Sequence, residues 1–441
     1  MWLKKSTVYV CLLTGAAMVI AMAGQSSGQN ASTATEAPSG YDNQPNGLTD
    51  TATFTADRGK FEETEAIGDG LGPIYNAQSC RECHQNPVTG STSQVKELRA
   101  GHQDNSGNFV AATATLADGT ITIANRSLIN QRAICPAVDT ISINGQQQVF
   151  NFPQTQGQER ISTAETILAF RMSLNTLGDG FIEAIPDQTL INLASSQCSR
   201  TGGAVCGEVV HVPVLEANGA LAVGRFGWKD QHASLLSFSS DAYLNEMGIS
   251  NRLPPNNVDV TRLCDVVPDP NDNTPDAEGF NDIDHFARFM RATKVPPRDV
   301  ALANSSDGIA GANLFQSVGC ATCHVSSITT APAGTSVAGG AFVVPDSLGN
   351  KIIHPYSDFL LHDVGTGDGI VQNGPQDTAQ KLRTPPLWGV RTRTELLHDG
   401  RSKTFYDTIQ RHREEAAGAV SNFNRLSPAQ QNQLITFLRS L

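Results

Sequence analysis

The 441-residue chain is short of several things. Charged residues make up 17% of it and aromatic ones 6%. Basic residues are in deficit: 31 Lys and Arg stand against 43 Asp and Glu, a formal net charge of -12. That balance argues against phosphate-driven binding of nucleic acid, and so few aromatics argue against a base-stacking platform. Little charge together with 39% hydrophobic residues argues against a solvating disordered chain. Nine cysteines are too sparse for a disulfide scaffold. Apolar runs of spanning length are missing after the N-terminus, so no membrane span is expected once a leader is removed. What is present is enough chain to bury the cores of two or three domains.

The N-terminus reads Met1-Trp2-Leu3-Lys4-Lys5, followed by an apolar stretch from Val8 to Met22 and a small-x-small site at Ala21-Met22-Ala23. This is the pattern of a secretory signal over 1–23, with cleavage near Ala23 and a periplasmic destination. Such a compartment permits disulfides and covalent attachment of cofactors to thiols. Residues 24–50 are rich in Gly, Ser, Thr, Asn and Gln and read as a flexible leader. A helical pattern starts near Asp57. Residues 108–155 alternate in short apolar runs such as Ile121-Thr122-Ile123 and Ile141-Ser142-Ile143, which predicts strands and hairpins. Residues 163–195 read as helical, broken at Gly178-Asp179-Gly180 and Pro186, 254–280 as a surface loop, and 307–318 as helix again. The last helix is well signed: Ser427 as N-cap, Pro428 at its first position, Gln430 completing a capping box, and Leu434, Phe437, Leu438 and Leu441 on one face.

Two short motifs carry the chemistry. Cys80-Arg81-Glu82-Cys83-His84 and Cys320-Ala321-Thr322-Cys323-His324 are both C-x-x-C-H. Thiols three positions apart on a helical turn reach both vinyl groups of one porphyrin, and the adjacent His meets the iron from the proximal side. A zinc site would not need a His directly after the second Cys, twice. The pattern therefore predicts two covalently bound c-type haems, with Cys80, Cys83, Cys320 and Cys323 as attachment points and His84 and His324 as proximal iron ligands. Of the remaining cysteines, proximity in sequence pairs Cys198 with Cys206 and leaves Cys135 for Cys264.

The flanking residues add a resemblance. Gly-Leu-Gly-Pro-Ile-Tyr-Asn-Ala-Gln-Ser-Cys (70–80), Gly-Arg-Phe-Gly-Trp-Lys (224–229), Asn-Glu-Met-Gly-Ile-Ser (245–250), Tyr-Ser-Asp-Phe-Leu-Leu-His-Asp-Val-Gly (356–365), Arg-Thr-Pro-Pro-Leu-Trp-Gly (383–389) and Leu-His-Asp-Gly-Arg (397–401) occur in this order. As a set they resemble the di-haem oxidoreductases of the peroxidase type, relatives of bacterial di-haem cytochrome c peroxidase and of MauG. The likeness covers most of 57–441, least well over 100–220.

The resemblance implies a mainly α fold of two cytochrome c-like haem domains, 51–300 and 301–441, with a strand-containing insert at about 100–220 in the first. It implies that Trp228 relays electrons between the haems and that Glu246, in the Glu246-Met247 pair, assists cleavage of the peroxide O–O bond. The Gln of the peroxidases falls at or near Phe238. Where peroxidases carry a Met and MauG-type proteins a Tyr as distal ligand of the C-terminal haem, this chain has Leu397, which cannot ligate. Either that iron is open or another residue binds it, with His398 and Met247 as candidates, and His102 is the candidate distal ligand of the first haem. Arg383 is a candidate partner for a haem propionate, and His362, like His398 in a His-Asp pair, is expected near a haem edge. A calcium ion between the domains is left open by the resemblance.

The function so implied is periplasmic reduction of hydrogen peroxide, or another small oxidant, with electrons from a small soluble donor of the cytochrome c or cupredoxin kind. Two other readings fit the motifs: an electron-transfer di-haem cytochrome without peroxidase activity, and a MauG-like oxidase of an organic or protein substrate.

Overall fold

The computed structural model describes residues 33–115, 126–134, 138–143, 145–151, 159–255, 257, 267 and 270–441. The chain divides into Met1–Thr33 and Ala34–Leu441, and the second unit holds both motifs. The predicted signal over 1–23, the run at 121–123 and the cysteines 135 and 264 lie outside the described residues. The expected mainly α fold is corrected to a mixed one: 33% of the described residues are helix and 17% strand. No helix among the described residues is long and apolar enough to cross a membrane.

Each motif sits on its own helical support. Around the first, helices Thr51–Glu62 and Leu235–Met247 pack on Asp282–Ala292. The last of these buries Ile283, Phe286, Ala287, Phe289 and Met290, the spacing of one helix face. Asp50 caps the first helix by accepting from the Thr53 amide at 2.7 Å. Inside the packing, buried Asp57 accepts from Arg288 Nε at 2.7 Å and sits 2.8 Å from His285 Nδ1, tying the two helices together. Around the second motif, Ser306–Val318 packs on Pro428–Arg439. They approach so closely that a Cβ on Gly311 would collide with the Gln433 carbonyl. Gly319, at φ +104°, ends the helix and turns the chain directly into Cys320. The capping box at Ser427 and Gln430 and the burial of Leu434, Phe437 and Leu438 stand as the sequence predicts.

Two hydrophobic cores result. The larger contains Phe61, Phe181, Phe226, Phe286 and Trp388, and Cys80 packs against it. Residues from 328 to 360 also feed this core, so it draws on chain from both sides of position 300. The smaller contains Phe315, Tyr356, Phe423 and Phe437, and Cys320 packs against it.

Strand Lys96–Gln103 is the centre of a four-stranded antiparallel sheet with Phe109–Ala111, Leu128–Ile129 and Ile167–Met172. Its longest pairing runs from Lys96 opposite Met172 to Gly101 opposite Ile167. Two hairpins follow, Val138–Ile143 with Gln146–Asn151 and His211–Val214 with Ala220–Val223. Two expectations are corrected here. Of the helical stretch predicted over 163–195, the part before Gly178 is a strand at Ile167–Met172, while helices at Asp179–Glu183 and Asp187–Arg200 start at the predicted breaks. In that strand Leu168 and Phe170 are exposed while Ala169 and Arg171 are buried, a two-residue alternation satisfied by pairing with a distant strand. The leader predicted to be flexible over 24–50 is held by backbone pairing from Thr35 on. Thr35–Glu36 pairs in parallel with Lys351–Ile352, and the buried Asn46 amide donates to the Arg291 and Thr293 carbonyls at 2.8 and 3.0 Å. Polar composition predicted solvent there, but these side chains and amides find backbone partners instead.

Candidate active site

The first motif is a single helical turn, Cys80–Cys83, entered from Ser79. His84 follows it with Nδ1 3.2 Å from the Ser91 carbonyl. The Leu174 backbone also hydrogen-bonds the ring; with the ring proton on Nδ1 and donated to Ser91, Nε2 is the nitrogen that can ligate. The second motif repeats the device: His324 Nδ1 lies 2.9 Å from the Tyr356 carbonyl. Burial lowers both imidazoles below their usual range, His324 to about 4, so both are neutral. A phenylalanine braces each ring, Phe61 at 6.2 Å from His84 and Phe315 at 6.2 Å from His324.

The four motif thiols are the free ones among the described cysteines. Burial raises them all, Cys83 and Cys320 to about 12, so none is a reactive thiolate. Cys198 and Cys206 form a disulfide, as their proximity in sequence predicts. Two thiols and one neutral imidazole anchored at Nδ1, repeated on two cores, are a donor set that fits two haems.

A cavity of about 710 Å³ opens beside the first motif, with Cys83 and His84 on one wall and Trp228, Glu246, Glu97 and Arg99 on the others. Glu246 projects into it from helix Leu235–Met247 and accepts from Asn76 Nδ2 at 3.0 Å. Removal from water, and then the neighbouring Glu97 carboxylate, push the Glu246 carboxyl well above the usual range. Trp228 is fixed by Nε1 donating to the Met172 carbonyl at 2.8 Å. The next residue reinforces it: the buried Lys229 ammonium donates to the carbonyls of Thr378, Ala379 and Lys381 at 3.0, 2.9 and 2.6 Å. Arg383 is buried at the same cavity, donating from Nη1 to the Arg225 carbonyl at 2.6 Å while its Nε makes no hydrogen bond.

The other predicted ligands fall elsewhere. Met247 lines a smaller apolar hollow of about 90 Å³ together with Cys80, Cys83 and His84, so it is brought to the first motif and not to the second. His102 is not brought to the cavity. It lies on the strand opposite Val110, with Nδ1 2.8 Å from a Glu165 carboxylate oxygen. His398 packs edge-on against Trp228, with ring centroids 6.1 Å apart, and its buried Nδ1 has no hydrogen-bond partner. Burial lowers its pKa. His362 stands 3.8 Å from Cys323 Sγ, between Asp358 at 2.9 Å and Glu415 at 2.8 Å. Burial works against its charge, yet the carboxylates raise it to about 12, so it is an imidazolium.

Sequence reasoning missed Glu97, Arg99, Arg171 and Lys229. The signal for the first two was present: charged residues two apart in a strand share a face.

A pair of neutral, Nδ1-anchored histidines, each next to two free thiols, defines a haem oxidoreductase with two metal centres. Residues 143–441 match the family described as "Di-haem oxidoreductase, putative peroxidase", and the chain belongs to that family. A search of curated proteins finds no match. Among solved structures, a chain of Kuenenia stuttgartiensis hydrazine synthase, pressurised with 20 bar xenon, is similar at 19% identity with a TM-score of 0.23. That match covers 36% of this chain and 55% of the other, and at this score it says nothing about the fold.

Proposed function

We propose that this di-haem oxidoreductase is an exported c-type peroxidase that reduces hydrogen peroxide in the cavity beside His84, with electrons from a small soluble donor protein. The observation that carries the reading is that one cavity joins His84, a proton-holding carboxyl in Glu246, and Trp228. Haems bound at the two motifs supply the redox-active iron that exchanges electrons with donor and oxidant. Cys80 and Cys83, and Cys320 and Cys323, would hold them by thioether bonds, and His84 and His324 would be the histidine ligands of the iron. The second helical pair, Ser306–Val318 and Pro428–Arg439, would carry the C-terminal haem, although the core of the first also takes in residues beyond position 300.

The reaction consumes two electrons and two protons per peroxide; the O–O bond breaks and two waters form. Glu246 moves a proton between the two peroxide oxygens, as a general acid–base group. Its raised pKa suits it to donate near neutral pH. Trp228, locked by Met172 and Lys229, offers a rigid aromatic surface between cavity and His398 for electrons arriving from the second centre. Arg383, with a buried Nε lacking a hydrogen bond, pairs with a propionate.

The test is a pyridine haemochrome assay together with turnover of peroxide by the reduced donor. Two thioether-linked haems per chain and peroxide-dependent oxidation of the donor are expected. Fewer than two haems, or two haems with no peroxide turnover, overturns the reading. The second outcome leaves an electron carrier, and peroxide-driven oxidation of an organic or protein substrate instead of the donor identifies an oxidase.

A further inference from the structure

Six cationic side chains line the cavity. Lys96 pairs with Glu395 at 3.2 Å and Arg132 with Glu82 at 2.9 Å. Arg99 uses all three nitrogens of its fork: Nε and Nη2 grip Glu97 at 2.5 and 3.2 Å, and Nη1 donates to Ser127 Oγ at 3.1 Å. Arg383 and Arg171 are bound to the Trp228 wall. The Arg383 amide donates to the Trp228 carbonyl at 2.9 Å, and Trp228 Nε1 donates to the carbonyl of Met172, the residue after Arg171. Arg126 is different, because it belongs to the Glu246 wall. Its Nη2 donates to Glu159 Oε1 and Oε2 at 2.8 and 2.9 Å and to Asn130 Oδ1 at 2.7 Å. Asn130 Nδ2 donates in turn to the carbonyl of Asn245, the residue before Glu246, at 2.9 Å. The Gln131 amide donates to Asn76 Oδ1 at 3.0 Å, and Asn76 holds the Glu246 carboxyl. The Arg126 guanidinium is thus fixed at one end and spare at the other: the side chain is only 10% exposed, and its buried Nε makes no hydrogen bond. A charged donor buried without an acceptor is costly, so the spare end calls for an anionic or strongly accepting partner in the cavity.

We propose that Arg126 is a catalytic residue of this cavity, binding the oxygen that leaves when the peroxide O–O bond breaks. The inference rests on the peroxide reading above. There Glu246 carries one of peroxide's own protons from one oxygen to the other. The second oxygen departs as water with the bonding electron pair and both hydrogens. The first takes two electrons from the donor and two protons from solvent and becomes the second water. Negative charge gathers on the departing oxygen before its proton arrives. A guanidinium already in place stabilises that charge and gives up no proton itself. The anchor to Glu159 is made by Nη2, so it leaves Nε to the reactant. The same donor makes the cavity an anion site in the resting protein, open to a probe as small as fluoride.

Optical titration of the full di-haem protein with fluoride, oxidised and half-reduced, tests this, with imidazole as a neutral control. Arg126→Gln is expected to weaken fluoride binding by about 10- to 100-fold and to leave imidazole within about threefold, because only the anion needs the lost donor. It should also lower kcat/KM for peroxide by about 10²–10³-fold, the usual worth of one donor to a developing oxyanion. Arg126→Lys keeps a cation beside Glu159 and should recover part of both. If Arg126→Gln does not fold, joining it to Glu159→Gln removes the buried pair together and reads the same contact. A haem-loaded Arg126 variant that leaves fluoride binding or peroxide kcat/KM unchanged overturns the proposal and keeps the peroxidase. Fluoride and imidazole weakened alike, or a wild-type protein that binds no fluoride in either state, overturns it too. Fluoride binding that depends on Arg126 in a protein without peroxide turnover sinks the peroxidase reading and keeps the anion site.

Discussion

The two C-x-x-C-H turns have the same immediate surroundings and opposite second neighbours. At both, a backbone carbonyl takes the histidine Nδ1 proton and a phenylalanine packs 6.2 Å from the ring. Beyond that they part. The first turn opens on a cavity walled by a carboxyl pair, an arginine fork and a tryptophan. The second is backed by a buried imidazolium, His362, locked between Asp358 and Glu415, while Gln197 Nε2 donates to both Asp358 and the Thr322 carbonyl. One scaffold is thus used twice, once with a mobile proton and space for a reactant, once with charges that hold each other. On the peroxidase reading proposed above, proton-coupled chemistry falls to the first centre and electron storage to the second.

The largest expected effect separates the two centres outright. Glu246→Gln should lower peroxide turnover by about 10²–10⁴-fold, the usual worth of a general acid–base group. Asp358→Asn at the second centre should leave turnover within about tenfold, well short of that acid–base loss. Equal losses in steady-state assays of the two variants would erase the distinction.

Stability tests the shared part. Phe61→Ala and Phe315→Ala each remove a buried ring that braces a ligand histidine. Each should cost about 3–5 kcal/mol in denaturant unfolding. Costs that differ by more than about 2 kcal/mol would show that the two supports are not equivalent.

The pH dependence of stability should be split between the centres. His362 has a folded pKa raised from 6.5 to about 12, so its stabilisation is complete below pH 6.5 and is lost as pH rises toward 12. Glu246, a carboxyl with a raised folded pKa, also makes stability fall as pH rises, but the loss begins lower, above the ordinary carboxylate value of 4.5. Thermal melts should therefore show Glu246→Gln flattening the loss in the acid-to-neutral range. His362→Gln should flatten it above neutrality, by on the order of 2 kcal/mol. A His362→Gln profile parallel to wild type above pH 7 would mean that its imidazolium is not held as described.

The smallest effect concerns the helix caps on the two supports. Asp50→Ala and Ser427→Ala each remove a side-chain acceptor from a helix N-terminus. About 1 kcal/mol each is expected from equilibrium unfolding.

What could be read from sequence was what is local. The motif turns, the Gly319 stop and the Ser427-Pro428-Gln430 start each depend on a few consecutive residues. Cys198 and Cys206, eight apart, belong to the same class. The cavity was only half legible, because it is assembled across the chain. Glu246 and Trp228 were visible through a resemblance, but Glu97 and Arg99 enter by strand pairing with Ile167–Met172, a segment whose apolar content reads as helix until its partner is known. The same dependence moved His102: a histidine placed by counting from Cys83 points along a sheet whose register decides its neighbours. Residues 33–50 were misjudged because backbone partners, not apolar side chains, hold them.

Strand Lys96–Gln103 is hydrogen-bonded along its length to Ile167–Met172, from Lys96 opposite Met172 to Gly101 opposite Ile167. A slip of that ladder by a single step would turn Leu98 and Ala100 toward the cavity and drive the charges of Glu97 and Arg99 into the apolar cluster around Ala112 and Ile129 on the other face. Insertions or deletions in this arm should therefore silence the first centre from a distance while the thioether turns, the histidines and the cytochrome spectrum stay intact.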